Sequence, residues 1–137
     1  MKLEERFKDW KKPEIKEGEL TKWNWMVQGV KGLVLGEHTD IGAFAYLNAQ
    51  SGLIIEDYVQ IGGGVKVYSV NTIDNKRGKV ILKRNCKIGA NSVILPNTTI
   101  GENSIVGACS VVKYGEIIPP NEIWVGCPAK YLKDVEE

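Results

Sequence analysis

The chain has 137 residues, which suits one domain and is too short for two domains with separate cores. Its 18 Lys and Arg nearly balance its 17 Asp and Glu, and 43% of its residues are hydrophobic, so a disordered chain and a nucleic-acid-binding protein are both disfavoured. No apolar run approaches the ~20 residues that span a bilayer, and we expect no membrane partner. The charged start MKLEERFKDWKK lacks the apolar stretch of a signal peptide, which predicts a cytoplasmic protein.

The N-terminal segment, residues 1–29, is predicted to cap one end of the domain. Leu3, Phe7 and Trp10 fall at helical spacing, and Pro13 then ends the pattern. We therefore expect a short amphipathic helix that covers the open strand edges of whatever follows.

Within residues 30–127 an aliphatic side chain recurs every six residues, first at Leu35, Ile41 and Leu47 and then, after a two-residue insertion, at Ile55, Ile61 and Val67. Without a slip, the period runs through Leu82, Ile88, Ile94, Ile100, Val106, Val112 and Ile118. A helix of 3.6 residues per turn would spread this stripe around its circumference, whereas a short strand followed by a turn keeps it on one side. Three such sides close a triangular coil, and stacked coils place Leu82 beneath Ile100 and Ile118. A β-sandwich of short strands is disfavoured, because its turns show no fixed period of six.

A second row of side chains is predicted to face inward, four positions after each aliphatic residue. Its members are small or β-branched: Thr39, Ala45, Val59, Val65, Asn71, Cys86, Ser92, Thr98, Ser104 and Ser110. The segment 73–80, IDNKRGKV, breaks the period with charge and glycine and predicts an extruded loop. Over residues 128–137, Pro128 could open a final helix that packs Leu132 and Val135 along the prism.

Two stretches carry a resemblance to a known family: IGANSVILPNTTIGENSIVGACSVV, residues 88–112, and IPPNEIWVGCPAKYL, residues 118–132. They resemble the hexapeptide-repeat acyltransferases, and sugar O- and N-acetyltransferases in particular. The resemblance implies a left-handed parallel β-helix with short terminal helices. It also implies a homotrimer with active sites between subunits, and transfer of an acyl group from acetyl-coenzyme A or another acyl-coenzyme A.

The resemblance also locates a departure from the family pattern. Where the family commonly has Ser-His-Asn-Thr, with the histidine as general base, this chain has Ser69-Val70-Asn71-Thr72, so the catalytic group is unknown. A general base is typically worth ~10²–10⁴-fold in rate. An amine acceptor that is partly deprotonated can attack unaided, so an amine is favoured over a hydroxyl.

Acceptor-binding residues are sought in the same region. Asn48, in YLNAQSG, resembles the asparagine of sugar-acetylating members, and its alternative role is that of a polar turn residue that bonds local backbone. Asn71 is a second candidate, and its alternative role is a backbone hydrogen bond inside the coil. Both alternatives stay open at this point.

For coenzyme A, the resemblance implies that Ala90 and Ala108 line the groove for the pantetheine arm. Lys113 and Lys130 could meet the nucleotide phosphates, and solvated lysines are the alternative for each. Cys109 stands where many relatives have glycine, and the sequence does not explain it.

Metal chemistry is disfavoured. Three cysteines without a C-x-x-C pair argue against a zinc site and a disulfide framework. The single histidine, His38, excludes a γ-class carbonic anhydrase, which needs three zinc-binding histidines. His38 lies three residues after Leu35, on a different side of the prism from Val70, so we do not expect it to replace the missing base.

The sequence therefore predicts an acyl-coenzyme A-dependent acyltransferase, with acetyl as the favoured group and the amine or hydroxyl of a sugar or nucleotide-sugar as acceptor. No metal is expected. The alternative is a catalytically silent hexapeptide-repeat scaffold or ligand-binding trimer, for which Val70 is the positive indication.

Overall fold

The computed structural model describes residues 2–136 and consists almost entirely of short strands. One helix, α1 (Leu3–Arg6), precedes the strands. One 3-10 turn (Val30–Gly32) lies between the first two strands. In chain order the strands are β1 (Met26–Gln28), β2 (Leu33–Leu35), β3 (Asp40–Ile41), β4 (Tyr46–Asn48), β5 (Leu53–Ile55), β6 (Gln60–Ile61), β7 (Lys66–Tyr68), β8 (Val70–Asn71), β9 (Lys76–Arg77), β10 (Val80–Leu82), β11 (Lys87–Ile88), β12 (Val93–Ile94), β13 (Thr99–Ile100), β14 (Ile105–Val106), β15 (Val111–Val112), β16 (Ile117–Ile118), β17 (Glu122–Gly126) and β18 (Ala129–Asp134).

Three parallel ladders of strands form the sides of a prism. Sheet A stacks β1, β4, β7, β12 and β15, and sheet B stacks β2, β5, β10, β13 and β16. Sheet C stacks β3, β6, β11, β14 and β17, with β18 added antiparallel at its end. Because the chain visits sheets A, B and C in turn, each circuit is one coil of a parallel β-helix.

The inward columns follow the register that the period of six predicts. Leu82 pairs with Ile100, which pairs with Ile118, and Ile88 pairs with Val106. All five side chains are at most 2% exposed. Burial of these aliphatic side chains supplies the main stabilisation, roughly 1.5–3 kcal/mol for each one.

The second inward row is also buried, with one exception. Its serines bond backbone across coils: the hydroxyl of Ser92 donates to the carbonyl of Gly107 at 2.9 Å, and that of Ser104 donates to the carbonyl of Pro119. The prediction is wrong for Asn71, which is half-buried in the β8–β9 hairpin because the chain leaves the coil after Ser69.

Corners of the prism are turned by residues with positive φ. The third residue after an inward aliphatic takes this conformation in coil after coil, as at Asn85, Asn91 and Asn103, with φ of 59°, 61° and 63°. Asparagine tolerates the left-handed region better than most residues, so these positions explain the asparagines of the repeat.

The N-terminal boundary differs slightly from the prediction. The solenoid begins at Met26, inside the predicted capping segment 1–29, because β1 pairs in register with β4. The predicted helix is limited to α1, while Phe7 is buried at 5% exposure and Trp25 joins the core. Residues 2–136 include no helix long and apolar enough to cross a bilayer.

The C-terminal helix predicted over residues 128–137 is wrong. Residues Ala129–Asp134 form β18, which turns back at Gly126 and pairs antiparallel with β17. The last parallel strand of sheet C would otherwise expose its backbone N–H and C=O groups, and pairing with β18 satisfies them. The extruded loop predicted over 73–80 also begins earlier, as a hairpin in which Val70 lies opposite Arg77.

Candidate functional site

A groove of small residues runs up the prism at the turns that lead from sheet C to sheet A. Its floor is lined by backbone at Gly42, Gly62, Gly89 and Gly107 and by Ala90 and Ala108, and it encloses about 410 Å³. A Cβ added at Gly89 would lie 2.4 Å from the amide nitrogen of Ala108 in the next coil. The close stacking of coils therefore requires glycine at Gly89, and Ala90 and Ala108 add only methyl groups to the groove.

The structure brings Ala90 and Ala108 together in this groove but separates the two predicted lysines. Lys113 is exposed in the turn from sheet A to sheet B, at a different corner from Ala108. Lys130 is exposed in β18, opposite Val125, whose side chain stands over Gly107 at the end of the groove. Lys130 thus lies near the groove, and Lys113 does not within one chain.

Two cations beside the groove were missed from the sequence. Lys87 lines it from the outward face of β11, and Arg6 lines it from the N-terminal segment, where its guanidinium pairs with Asp40. Lys87 occupies the outward position immediately before the inward Ile88, in the coil that carries Ala90. This position in the repeat is the sequence signal that could have identified Lys87 as a groove residue.

The β8–β9 hairpin carries the position of the missing base. Val70 is half-buried at the start of the hairpin, directly after buried Ser69. The side-chain oxygen of Asn71 accepts the backbone N–H of Ile73 at 3.2 Å, which shapes the hairpin turn. Asn71 therefore bonds backbone, as its structural alternative states, but in the hairpin and not inside the coil.

Beside the hairpin lies a group of six polar residues, which we call the amide cluster: Gln28, Tyr46, Asn48, Gln50, Tyr68 and Ser69. Asn48 is its centre and is only 5% exposed. Its Oδ1 accepts the Ser69 hydroxyl at 2.9 Å and the Gln50 backbone N–H at 3.1 Å. Its Nδ2 donates to the Tyr46 hydroxyl at 3.3 Å and to Gln50 Oε1 at 3.1 Å. All four hydrogen-bonding positions of the Asn48 amide are thus filled from within the chain.

His38 has a packing role. Its ring stacks on Tyr58 with centroids 5.3 Å apart and an interplanar angle of 12°, and Trp10 and Phe7 contact it from the N-terminal segment. The guanidinium of Arg84 covers the ring of Tyr58 at 4.6 Å. His38 belongs to the turns from sheet B to sheet C, so it does not share a corner with Val70.

The three cysteines differ in exposure. Cys86 is fully buried, and desolvation together with the negative charge of Glu56 raises the pKa of its thiol far above the usual range. Cys109 and Cys127 are exposed and free. Within residues 2–136, no three His, Cys, Asp or Glu side chains group together as metal ligands would.

Comparison with known proteins supports this reading of the fold. The family described as bacterial transferase hexapeptide (six repeats) matches residues 79–113. The chain is 30% identical over 118 residues to the carnitine operon protein CaiE of Proteus sp. (strain LE138), a match that covers 77% of this chain. The chain spans 60% of the length of that relative.

Two solved structures with bound ligands are similar to the chain. A hexapeptide-repeat acetyltransferase of Vibrio cholerae, in complex with acetyl-coenzyme A, is similar with a TM-score of 0.76 at 26% identity, over 82% of this chain and 66% of that one. A variant of AntD, an N-acyltransferase of Bacillus cereus, in complex with dTDP-4-amino-4,6-dideoxyglucose and coenzyme A, has a TM-score of 0.59 at 28% identity, over 83% and 72% of the two chains. The predicted fold class, an all-β left-handed parallel β-helix of hexapeptide repeats, is confirmed.

Proposed function

Because the chain belongs to the hexapeptide-repeat family of left-handed β-helix proteins, we propose that it is an acyltransferase that takes an acetyl group from acetyl-coenzyme A. The acceptor is the amine of a sugar or nucleotide-sugar. The observation that carries this proposal is the groove of glycine and alanine backbone. The likeness of the chain to an acetyltransferase solved in complex with acetyl-coenzyme A supports it.

The groove suits the pantetheine arm, which is long, thin and rich in amide groups. Ala90 and Ala108 leave room for it against the coil backbone, where peptide groups can exchange hydrogen bonds with its two amides. Lys87 in the groove and Lys130 near its end could meet the phosphates, with Lys113 of a neighbouring subunit as a third, while Arg6 of the groove is paired with Asp40.

The absence of a histidine at Val70 favours an amine as the attacking group. The amine nitrogen adds to the thioester carbonyl, the C–S bond then breaks, and the coenzyme A thiolate takes up the proton that the nitrogen releases. An amine needs no base to remove a proton before attack, provided that it is uncharged when it binds. Orientation of the two substrates supplies the remaining rate enhancement.

Assembly as a homotrimer is part of this proposal, and the outer face of sheet B supports it. Five β-branched side chains stack there in register along β2, β5, β10, β13 and β16: Val34, Ile54, Ile81, Thr99 and Ile117. Val34 and Ile117 are 59% and 68% exposed in the single chain. A flat apolar face of this kind can pack against sheet B or a neighbouring face of a second copy. Burial of this face would place the turns from sheet A to sheet B beside that copy.

A silent scaffold or ligand-binding trimer is the second candidate function. Val70 favours it, because loss of a general base costs ~10²–10⁴-fold in rate wherever the acceptor needs one. Under this alternative the groove could still bind coenzyme A, but no acceptor would be acylated.

Calorimetry with coenzyme A, combined with a thiol-release assay on amino sugars and sugar alcohols, tests the proposal. We expect heat of binding and turnover with an amine. Ala90→Leu should fill the groove and abolish both, whereas the matched variant Ala43→Leu, at the same corner but outside the groove lining, should retain them. Absence of coenzyme A binding would overturn the acyltransferase assignment, and binding without turnover on any amine would favour the scaffold.

A further inference from the structure

The amide cluster has a buried side and an open side, and only the buried side is satisfied within the chain. Asn48 uses its whole amide on Tyr46, Gln50 and Ser69. Ser69 is itself fully buried, and its hydroxyl oxygen accepts the backbone N–H of Ser51 at 2.9 Å. These two residues therefore hold their neighbours in place, because the Asn48 amide has no capacity left for a ligand and the Ser69 hydroxyl is fully buried.

The open side presents hydrogen-bond donors without partners. Gln28 accepts the hydroxyl of Tyr46 through Oε1, and Gln50 accepts Asn48 through Oε1, so the side-chain NH2 groups of both glutamines are directed away from these bonds. Among residues 2–136, neither NH2 group nor the hydroxyl of Tyr68 makes a hydrogen bond. The rings of Tyr46 and Tyr68 lie beside them with centroids 5.5 Å apart at an angle of 49°.

These groups are placed together by register. Gln28, Asn48 and Tyr68 pair successively across β1, β4 and β7, at the end of sheet A next to the hairpin. The coil is wider here, because eight residues instead of six separate Val27 from Leu35 and Leu47 from Ile55. Tyr68 is two residues from Val70, so the open side of the cluster adjoins the position of the missing base.

The chemistry of the open side fits a neutral ligand with many hydroxyls. Amide NH2 groups and a phenol exchange hydrogen bonds with hydroxyls, and tyrosine rings offer apolar faces to the C–H groups of a sugar ring. Phosphate and carboxylate are recognised by arginine, lysine or backbone N–H clusters, and the amide cluster contains no charged side chain. The nearest cation along β7, Lys66, donates to the carbonyl of Gly64 at 2.9 Å.

We propose that Gln28, Gln50 and Tyr68 bind the hexose ring of the acceptor and that Asn48 is a positioning residue that fixes them. This inference rests on the proposed acyltransferase function and specifies which part of the acceptor is recognised. It also reassigns the acceptor contact from Asn48, whose amide is fully used, to the side chains that Asn48 orients.

An NMR titration of the full chain tests the inference, because the chain has only three glutamines. The side-chain NH2 signals of Gln28 and Gln50 should shift when methyl glucosaminide or methyl glucoside is added, and inorganic phosphate should leave them unchanged. Gln60, the third glutamine, lines the coenzyme A groove and should shift with coenzyme A but not with the glycosides.

The outcomes separate the two proposals. If neither glycoside shifts Gln28 and Gln50, or if phosphate shifts them and the glycosides do not, the hexose site is overturned while the acyltransferase assignment stands on Gln60 and coenzyme A. If coenzyme A fails to shift Gln60 and the glycines of the groove, the proposed function fails independently of the sugar result.

Kinetics provide a second test of the same site. Tyr68→Phe removes the free hydroxyl and keeps the ring, so KM for the amino sugar should rise about 2- to 10-fold, as expected for one neutral hydrogen bond, with kcat nearly unchanged. The matched control Tyr131→Phe removes a hydroxyl that bonds Asp134 in β18, far from the cluster, and should leave KM unchanged. Equal KM values for Tyr68→Phe and the wild type would contradict the role of Tyr68.

Discussion

Cys109 has a left-handed backbone conformation that favours glycine or asparagine over cysteine. It occupies the corner position that asparagine or glycine fills in most other turns, with φ of 58°. A residue with a β-carbon in the left-handed region is strained by roughly 1–2 kcal/mol, and asparagine relieves part of that cost. The dihedral angle thus shows which residues suit this corner, and the sequence alone did not indicate it.

We expect Cys109→Asn to raise the free energy of unfolding by about 0.5–1 kcal/mol, because asparagine adopts positive φ more readily than cysteine. Cys109→Val should lower it by about 1 kcal/mol or more, since a β-branched side chain tolerates this region poorly. Urea denaturation measures both. A valine variant as stable as the asparagine variant would show that the corner is not strained.

Val70→His tests whether the hairpin borders the acceptor. If it does, the histidine should act as a base and raise the rate with a hydroxyl acceptor by up to ~10²–10⁴-fold. With an amine acceptor the gain should be smaller and should shrink as pH rises, because the uncharged amine becomes abundant. Val70→Asn is the control, since it adds polarity without a base. Equal rates for the histidine and asparagine variants with a hydroxyl acceptor would place Val70 outside the acceptor site.

At the scale of elements, the N-terminal segment is anchored to the first coil by one carboxylate. Glu17 accepts the backbone N–H groups of Gly29 and Val30 at 2.9 Å, and these bonds hold the pKa of Glu17 below its usual value. Because the folded-state pKa is lowered, the stabilisation is present above the ordinary glutamate pKa and is lost as pH falls through the lowered value.

Glu17→Gln should therefore lower the Tm at neutral pH, and the difference from the wild type should disappear in acid. The measurement is Tm by calorimetry across pH. Glu19→Gln, an exposed change in the same segment, serves as the control and should match the wild type throughout. A Glu17→Gln difference that persisted in acid would assign the effect to something other than the carboxylate charge.

Elements with a strict period were predictable, and elements that depend on a neighbour were not. The inward columns follow from the spacing of six, because only one register buries every aliphatic side chain. The segment 129–134 has apolar residues at helical spacing, yet the unpaired edge of β17 converts it to a strand. Local pattern does not encode that edge.

The same contrast, between features that follow the period and features that depend on neighbouring coils, applies to the candidate site. Ala90 and Ala108 could be placed from the repeat, because a Gly-Ala pair follows both Ile88 and Val106. The amide cluster could not, because it joins Gln28, Asn48 and Tyr68, which lie in three different coils. The sequence singles out Asn48, but its four internal hydrogen bonds depend on the register of those coils.

At the scale of the whole molecule, we expect a trimer in solution that depends on the outer face of sheet B. Ile81 lies at the centre of that face, between Ile54 and Thr99. Ile81→Lys should place three like charges in the assembly and shift the mass by light scattering from trimer to monomer. Leu132→Lys, at a 56% exposed apolar residue of β18, should leave the trimer intact. A monomeric wild type at micromolar concentration would remove the inter-subunit site.

The constant register between the later coils means that the prism can be lengthened by whole coils. From β10 onward, each strand that continues a ladder pairs with the strand 18 residues later, as Leu82, Ile100 and Ile118 do. A tandem duplication of residues 83–100 would therefore insert one complete coil, with a rise of about 4.8 Å. The N-terminal anchor and the β17–β18 hairpin would be unchanged. The duplication would also repeat Gly89 and Ala90, so the groove would grow by one step along the axis. The groove could in this way be lengthened for a longer donor, one coil at a time, without any redesign of the core.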